Sequence, residues 1–333
     1  MSKGMSRRQF LGMAGGLAAF AGLGLVGCGG SGSSATTEAA SSAAADLSGS
    51  ITCSGATSFQ PLVEDAANAF MDANANVTIT ISGGGSGQGL SDVKDGKAQI
   101  GRSDIFAEEK LDDVKDGKAQ IGRSDIFAEE KLEAADAAKL VDNQVAVVGM
   151  GPVVNSDVDV DDLTTEQLKG IFTGEITDWS QVGGTAGPIQ VINRKAGSGT
   201  RATFENAVLA GATVPDSFKP VAEEDSSGTV VEKLQQTAGA ISYLAFSYFD
   251  DSKFKALKVD GVEPKSANVE SGDFKIWSYE HMYVAADADD VTKAFIDYML
   301  SDDVQGKLVE EKGFIPLTGM KVKKDASGTI SAA

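Results

Sequence analysis

Three times along this 333-residue chain a short apolar strand pattern runs directly into a loop of Gly, Ser and Thr and then into a helical pattern. The first junction joins residues 50–53 to Ser54-Gly55-Ala56-Thr57-Ser58-Phe59-Gln60-Pro61, with Pro61 in the first turn of a helix that carries Leu62, Ala66, Ala69 and Phe70 on one face. At the second, the alternating Val77-Thr78-Ile79-Thr80-Ile81 meets Ser82-Gly83-Gly84-Gly85-Ser86-Gly87. The third runs from residues 188–192 through Asn193-Arg194-Lys195-Ala196-Gly197-Ser198-Gly199-Thr200-Arg201 into a helix with Phe204, Val208 and Leu209 on one face. This alternation implies an α/β fold. It also places unpartnered backbone N–H groups and the positive end of a helix dipole beside hydroxyl side chains, which is how a fold holds an anion. Arg194 can add a bidentate fork.

A second α/β region reads from 160 to 275. Thr164-Thr165-Glu166-Gln167 has the pattern of a capping box ahead of Leu168, Ile171 and Phe172, and a helix over 230–237 feeds a strand over 240–244. Beyond Trp277 come a strand at 282–284 and helices at 291–300 and 304–311, with Asp302 as N-cap of the last.

The N-terminus belongs to export, not to the fold. Ser6-Arg7-Arg8-Gln9-Phe10-Leu11 is a twin-arginine pattern, and the Gly/Ala-rich apolar run that follows ends in Leu25-Val26-Gly27-Cys28. This resembles a bacterial lipobox: residues 1–27 are the expected signal, Cys28 the lipidated (palmitate-bearing) residue, and 28–47 a flexible Ser/Ala/Gly tether. The expectation is an extracytoplasmic protein anchored to the cell membrane.

The formal net charge of −19 argues against nucleic acid as a partner, and removal of the signal takes away Lys3, Arg7 and Arg8 but no acid. Cys28 and Cys53 are the only cysteines, so with Cys28 lipidated no disulfide is available, and Cys53 is expected to pack as a small apolar residue. With His281 the only histidine, no zinc site is expected and no cofactor is implied. The Gly83 to Gly89 loop lacks the lysine of a nucleotide-binding loop, and Ser86 and Ser198 fail the G-x-S-x-G pattern of a hydrolase nucleophile, whose last position is Gln88 and Thr200 here.

Residues 92–111 recur without change as 113–132. Two identical copies are too few and too exact for a solenoid, so two copies of Ala-Gln-Ile-Gly-Arg-Ser-Asp compete for one place in the sheet. The aspartate in that motif, Asp104 or Asp125, matters chemically. An ionised carboxylate beside an anion site is repulsive unless the ligand brings a proton, which hydrogen phosphate does and sulfate does not.

These residues together resemble the phosphate-binding lipoproteins of phosphate ABC transporters, the PstS family. The likeness rests on residues 54–58, 83–87, 98–101 with its Asp, 171–174 with Trp179, Arg194 with 197–200, 239–243 and 313–316. It implies a two-lobed periplasmic-binding-protein-like fold (Venus flytrap, type II) with lobe 1 from 48–150 plus 277–317, lobe 2 from 151–276, hinge strands near Met150 and Trp277, and a tail at 318–333. By the same likeness the ligand contacts are Thr57, Ser58, Ser86, Asp104 or Asp125, Arg194, Ser198, Gly199 and Thr200, with Arg102 or Arg123 as a further contact or partner of the Asp. The spacing from Ser86 fits Asp104; the run onward to residues 145–148 fits Asp125. The implied function is capture of inorganic phosphate by a monomeric, non-enzymatic protein that delivers it to a separate permease and ATPase. The alternatives are a binder of another oxyanion, sulfate or molybdate, and a secreted phosphohydrolase.

Overall fold

The computed structural model describes residues 47–107, 138–325 and 328–333. The export and lipidation signals with Cys28, the tether up to residue 46, and the second copy of the duplication with Arg123 and Asp125 lie outside the described residues.

Among the described residues the strands in chain order are β1 Ser48–Gly55, β2 Asn76–Gly84, β3 Ile100–Ser103, β4 Leu140–Val154, β5 Asp162–Leu163, β6 Gln190–Arg194, β7 Ala222–Glu224, β8 Ala240–Ala245, β9 Lys255–Ala256, β10 Lys258–Val259, β11 Trp277–Ala285, β12 Val322–Lys324 and β13 Ile330–Ala332. One mixed sheet carries the order β2-β1-β3-β11-β4-β8-β6-β7, with β9 added on β4. At its two ends the pairings are parallel, β1 with β2 and β3, and β6 with β7 and β8. In between, β11 runs antiparallel to β3 and β4, and β4 antiparallel to β8.

The long strand β4 joins the two halves of the sheet. Its residues 140–149 pair with β11, and from Met150 to Val154 it pairs with β8. The Met150 N–H donates to the Ile276 carbonyl at 2.9 Å, so the strand changes partner beside the start of β11. Val145, Ala146, Val147 and Val148 are all fully buried, since layers cover both faces of the sheet there and a strand buried on both sides need not alternate.

Helices close the faces. Gln60–Ala73 buries Leu62, Val63, Ala66, Ala67 and Phe70, and the Phe70 ring meets the edge of Phe295 at 5.3 Å. Cys53 is fully buried in β1, and burial pushes its thiol up to about 11. His281 is equally buried. Its Nδ1 lies 2.9 Å from Asp142 Oδ1, and its ring packs on Phe106 and Tyr283.

Several elements differ from the sequence reading. The helix expected over 230–237 is Ser227–Gln236, because Ser226 caps it through a reciprocal bond with Thr229. The strand expected at 282–284 starts at Trp277, held along its whole length by β4. Residues 304–311 are not one α-helix: Val304–Leu308 is a π-type turn leading into Val309–Glu311, and Asp303, not Asp302, precedes it without a side-chain cap. Thr164 and Gln167 do form the expected capping box.

The helix Gly85–Lys94, which carries Ser86, lies directly against the backbone of β1 and β3. A Cβ on Gly89 would stand 2.5 Å from the Arg102 carbonyl oxygen and 2.9 Å from Gly55 Cα, and a Cβ on Gly101 would stand 2.3 Å from the Gly89 carbonyl oxygen. These contacts are backbone, so no rotamer change relieves them. Gly89→Ala should destabilise the fold by about 1–3 kcal/mol, read as a lowered midpoint in urea unfolding followed by circular dichroism; an unchanged midpoint would refute this packing.

Candidate functional site

Five chain segments bring their polar residues to one buried place. Four are loops at the C-terminal ends of β1, β2, β6 and β7, each opening a helix, and the fifth is Asp104, directly after β3. Side chains of Thr57, Ser58, Ser86, Asp104, Arg194, Ser198, Thr200 and Ser227 are all at most 7% exposed. The carboxyl ends of strands are where an open α/β sheet presents its ligands' groups.

Arg194 ends β6 and is 1% exposed. Its Nε donates to the Glu224 carbonyl at 3.2 Å and its Nη2 to the Asp225 carbonyl at 2.9 Å, so the β7 loop fixes the plane of the guanidinium. The remaining N–H groups point to hydroxyls: Nη1 to Ser227 Oγ at 3.3 Å and Thr200 Oγ1 at 3.5 Å, Nη2 to Thr57 Oγ1 at 3.4 Å. Among the described residues no carboxylate lies within ion-pair distance of it. Burial pulls the guanidinium below its ordinary pKa, and Tyr243 and Asp104 oppose that shift; it remains a cation at neutral pH.

The strand behind it is stiffened by polar contacts. Asn193 Oδ1 accepts from the Arg194 N–H at 2.9 Å and from the Tyr243 hydroxyl, and Arg201 Nη1 donates to the Arg194 carbonyl at 2.7 Å. Arg201 is itself paired with Glu205 and Glu223, at 2.7 and 3.1 Å.

Asp104 faces Arg194 from the other side. Its Oδ1 accepts from Ser58 Oγ, its Oδ2 from Thr200 Oγ1 at 2.8 Å, and its own N–H donates to Ser86 Oγ at 2.9 Å. β3 holds it there by pairing Gly101 with Ser54 of β1 and Ser103 with His281 of β11. Of the two candidate aspartates, Asp104 is therefore the one placed among these residues; Asp125 lies outside the described residues.

Contacts cross between the two lobes at this point. Gly87 N–H donates to the Gly197 carbonyl at 3.0 Å, Ser227 N–H to Thr57 Oγ1 at 3.2 Å, and the Tyr248 hydroxyl to the Thr57 carbonyl at 2.7 Å. Gly199 is so close to Ser86 that a Cβ would sit 2.1 Å from its Oγ. The Ser198 hydroxyl caps its own helix, accepting from the Arg201 N–H at 3.2 Å.

Of the candidates read from the sequence, the arrangement brings together Thr57, Ser58, Ser86, Asp104, Arg194, Ser198, Gly199 and Thr200. It adds Ser227, which sequence reasoning missed. The signal was present: Ser226-Ser227-Gly228-Thr229 is another hydroxyl and glycine loop at a helix start, but β7 ahead of it is three residues of Ala-Glu-Glu with no apolar alternation. Arg102 is not at this surface. It is fully buried behind Asp104, and its Nη2 donates to the Ser82 carbonyl.

Chemically, the site offers one fixed cation, several hydroxyls and helix N-termini, and a single carboxylate. A hydroxyl oxygen that accepts from Arg194 keeps its own hydrogen; Thr200 gives it to Asp104, while the guanidinium with the Thr57 and Ser227 hydroxyls forms a donor set for a small oxyanion. Among the described residues no group of three or more His, Cys, Asp or Glu side chains is placed to hold a metal ion.

Residues 40–303 match the family model for the PBP superfamily domain. The chain is 43% identical over 284 residues to the phosphate-binding protein PstS of Bacillus subtilis, covering 85% of this chain and 86% of that one. Among solved structures it is similar to a phosphate ABC transporter substrate-binding protein of Clostridium perfringens with bound phosphate, at 29% identity and a TM-score of 0.66 over 81% of this chain and all of that one. An ABC-type phosphate transport receptor from Vibrio cholerae is similar at 26% identity and a TM-score of 0.59, over 80% of this chain and 99% of that one. With a buried arginine ringed by hydroxyls in a two-lobed α/β fold and these relatives spanning most of its length, the chain belongs to the PstS family of the PBP superfamily.

Proposed function

We propose that this protein is the extracytoplasmic substrate-binding component of a phosphate ABC transporter, and that inorganic phosphate is held between lobe 1 (48–150 plus 277–317) and lobe 2 (151–276). The observation that carries this reading is the pairing of one buried, unneutralised arginine with one buried carboxylate at the same site. Arg194 supplies the countercharge. The hydroxyls of Thr57, Ser86 and Ser227 and the backbone N–H groups of Ser58, Ser198, Gly199 and Thr200 are the donors, the Thr200 hydroxyl hydrogen being held by Asp104. Asp104, an acceptor, takes the hydrogen that a phosphate carries at neutral pH and a sulfate lacks.

Binding is coupled to closure because each lobe holds part of the donor set. Thr57, Ser86 and Asp104 come from one side and Arg194, Thr200 and Ser227 from the other, so an anion between them adds contacts that only the closed form makes. The family resemblance adds the permease and ATPase as separate partners, a monomeric state, and a lipid anchor at Cys28 after twin-arginine export. No turnover belongs to this reading. The chain's one histidine is turned into the core against Asp142, away from the donor set.

Calorimetric titration of the purified protein should show tight binding of phosphate and none of sulfate at equal concentration; tight sulfate or molybdate binding would replace phosphate with another oxyanion. Arg194→Gln should weaken phosphate binding by about 2–5 kcal/mol, roughly 30-fold to several thousand-fold. Asp104→Asn should lose phosphate affinity and gain measurable sulfate binding, while Asp125→Asn should match the unmodified protein. The reverse result would assign the site to the second copy. In the native host, Cys28→Ser should move the protein from the membrane fraction to the medium or periplasm, and continued membrane retention would exclude a lipid anchor at that residue.

A further inference from the structure

β11 passes behind Asp104. Its antiparallel register pairs Met282 with Arg102 and His281 with Ser103, so the next step along both strands brings Glu280 opposite Asp104. Glu280 is fully buried, and neither of its carboxyl oxygens has an N–H or O–H donor. Its carboxyl instead lies within hydrogen-bonding reach of the Asp104 carboxyl, with Ser58 and Arg102 nearby.

The other neighbours do not neutralise it. On the β4 side Glu280 pairs with Ala146, which carries no charge. Arg102 makes no ion pair with it within 4 Å among the described residues, its Nη2 being committed to the Ser82 carbonyl and its Nε and Nη1 left unpartnered near the Cys53 thiol. His281, next in the strand, is bonded to Asp142. Arg194 acts on Asp104 from across the site.

Two carboxylates in contact have no hydrogen to share, and a second buried negative charge here would be strongly disfavoured. A single proton between them makes a strong charge-assisted bond. The Ser58 hydroxyl is within reach of both carboxyls, but its one hydrogen goes to Asp104, which also accepts from Thr200; Glu280 is left without a donor, so the charge belongs on Asp104 and the proton on Glu280. We propose that Glu280 is a positioning residue that, as a carboxylic acid, donates its hydrogen to Asp104 and so holds that carboxylate ionised and turned toward the ligand.

Burial, with Asp104 adding to it and Arg102 and Ser58 opposing, holds the Glu280 carboxyl well above the usual carboxylate range. The sign for stability follows. Above the ordinary glutamate pKa the folded state keeps a proton that the unfolded state has released, so Glu280 makes the protein progressively less stable as pH rises, until its own folded pKa is passed.

This rests on the phosphate reading for its ligand, but the protonation state can be tested without one. Glu280→Gln keeps the shape and a donor N–H while removing the titration; Glu280→Leu removes the donor. Inorganic phosphate should bind Glu280→Gln within about threefold of the unmodified protein and Glu280→Leu about 10- to 100-fold more weakly, the span expected for a hydrogen bond to a charged group. In thermal unfolding of the ligand-free proteins from about pH 5 to about pH 9, Glu280→Gln should gain on the unmodified protein as pH rises. The proposal falls if Glu280→Gln loses as much affinity as Glu280→Leu, or if the difference in melting temperature is independent of pH. Absence of phosphate binding by the unmodified protein would instead refute the phosphate reading, and the unfolding comparison would still decide the role of Glu280.

Discussion

The rest of the site depends on a guanidinium buried without a carboxylate in contact. Placing a cation in the interior is costly unless hydrogen bonds and an opposite charge replace the lost water. Arg194 has the hydrogen bonds, from the Glu224 and Asp225 carbonyls and from the hydroxyls of Thr57, Thr200 and Ser227, but the opposite charge is only approached by Asp104. An anion bound among those hydroxyls completes the neutralisation. The protein's large net negative charge does not oppose this, because screened surface charges act weakly beside a cation at contact distance.

That cation can be surrounded from two sides only because the sheet is shared. β4 pairs with β11 along its first part and with β8 along its last, so the loops after β1, β2 and β3 and those after β6 and β7 lie on the two sides of its midpoint. The close stacking of Gly55, Gly89 and Gly101 then sets how far the Ser86 helix reaches toward the opposite loop. Backbone packing some distance from the ligand thus fixes a hydroxyl at the site.

Much of this was legible in the sequence where local pattern and position agree. The junctions at Thr57, Ser86 and Arg194 show strand spacing before the loop and helix spacing after it, and the duplicated Ile-Gly-Arg-Ser-Asp motif was recognisably two copies for one place in the sheet. Which copy fills the place is a question of pairing with β1 and β11, a long-range property that identical sequences cannot encode. Ser227 escaped because its strand is three residues long and carries two glutamates. Glu280 escaped for a different reason. In Ser-Tyr-Glu-His-Met-Tyr an acid reads as the solvent side of an alternating strand, and only the register with β3 shows it facing Asp104 inside the fold.

The glycines at the meeting of the lobes set how closely the facing loops approach. Gly85 stands against the Gly197 backbone, where a Cβ would come within 3.1 Å of its carbonyl oxygen, and Gly199 stands against Ser86. Gly87 and Gly197 are joined there by a backbone hydrogen bond. Facing loops without side chains let the two lobes close until backbone touches backbone, with the polar groups sealed beneath. The hydrogen bonds from Gly87 and Ser227 run across the same place, so backbone contact and polar contact between the facing loops are made together above the Arg194 guanidinium.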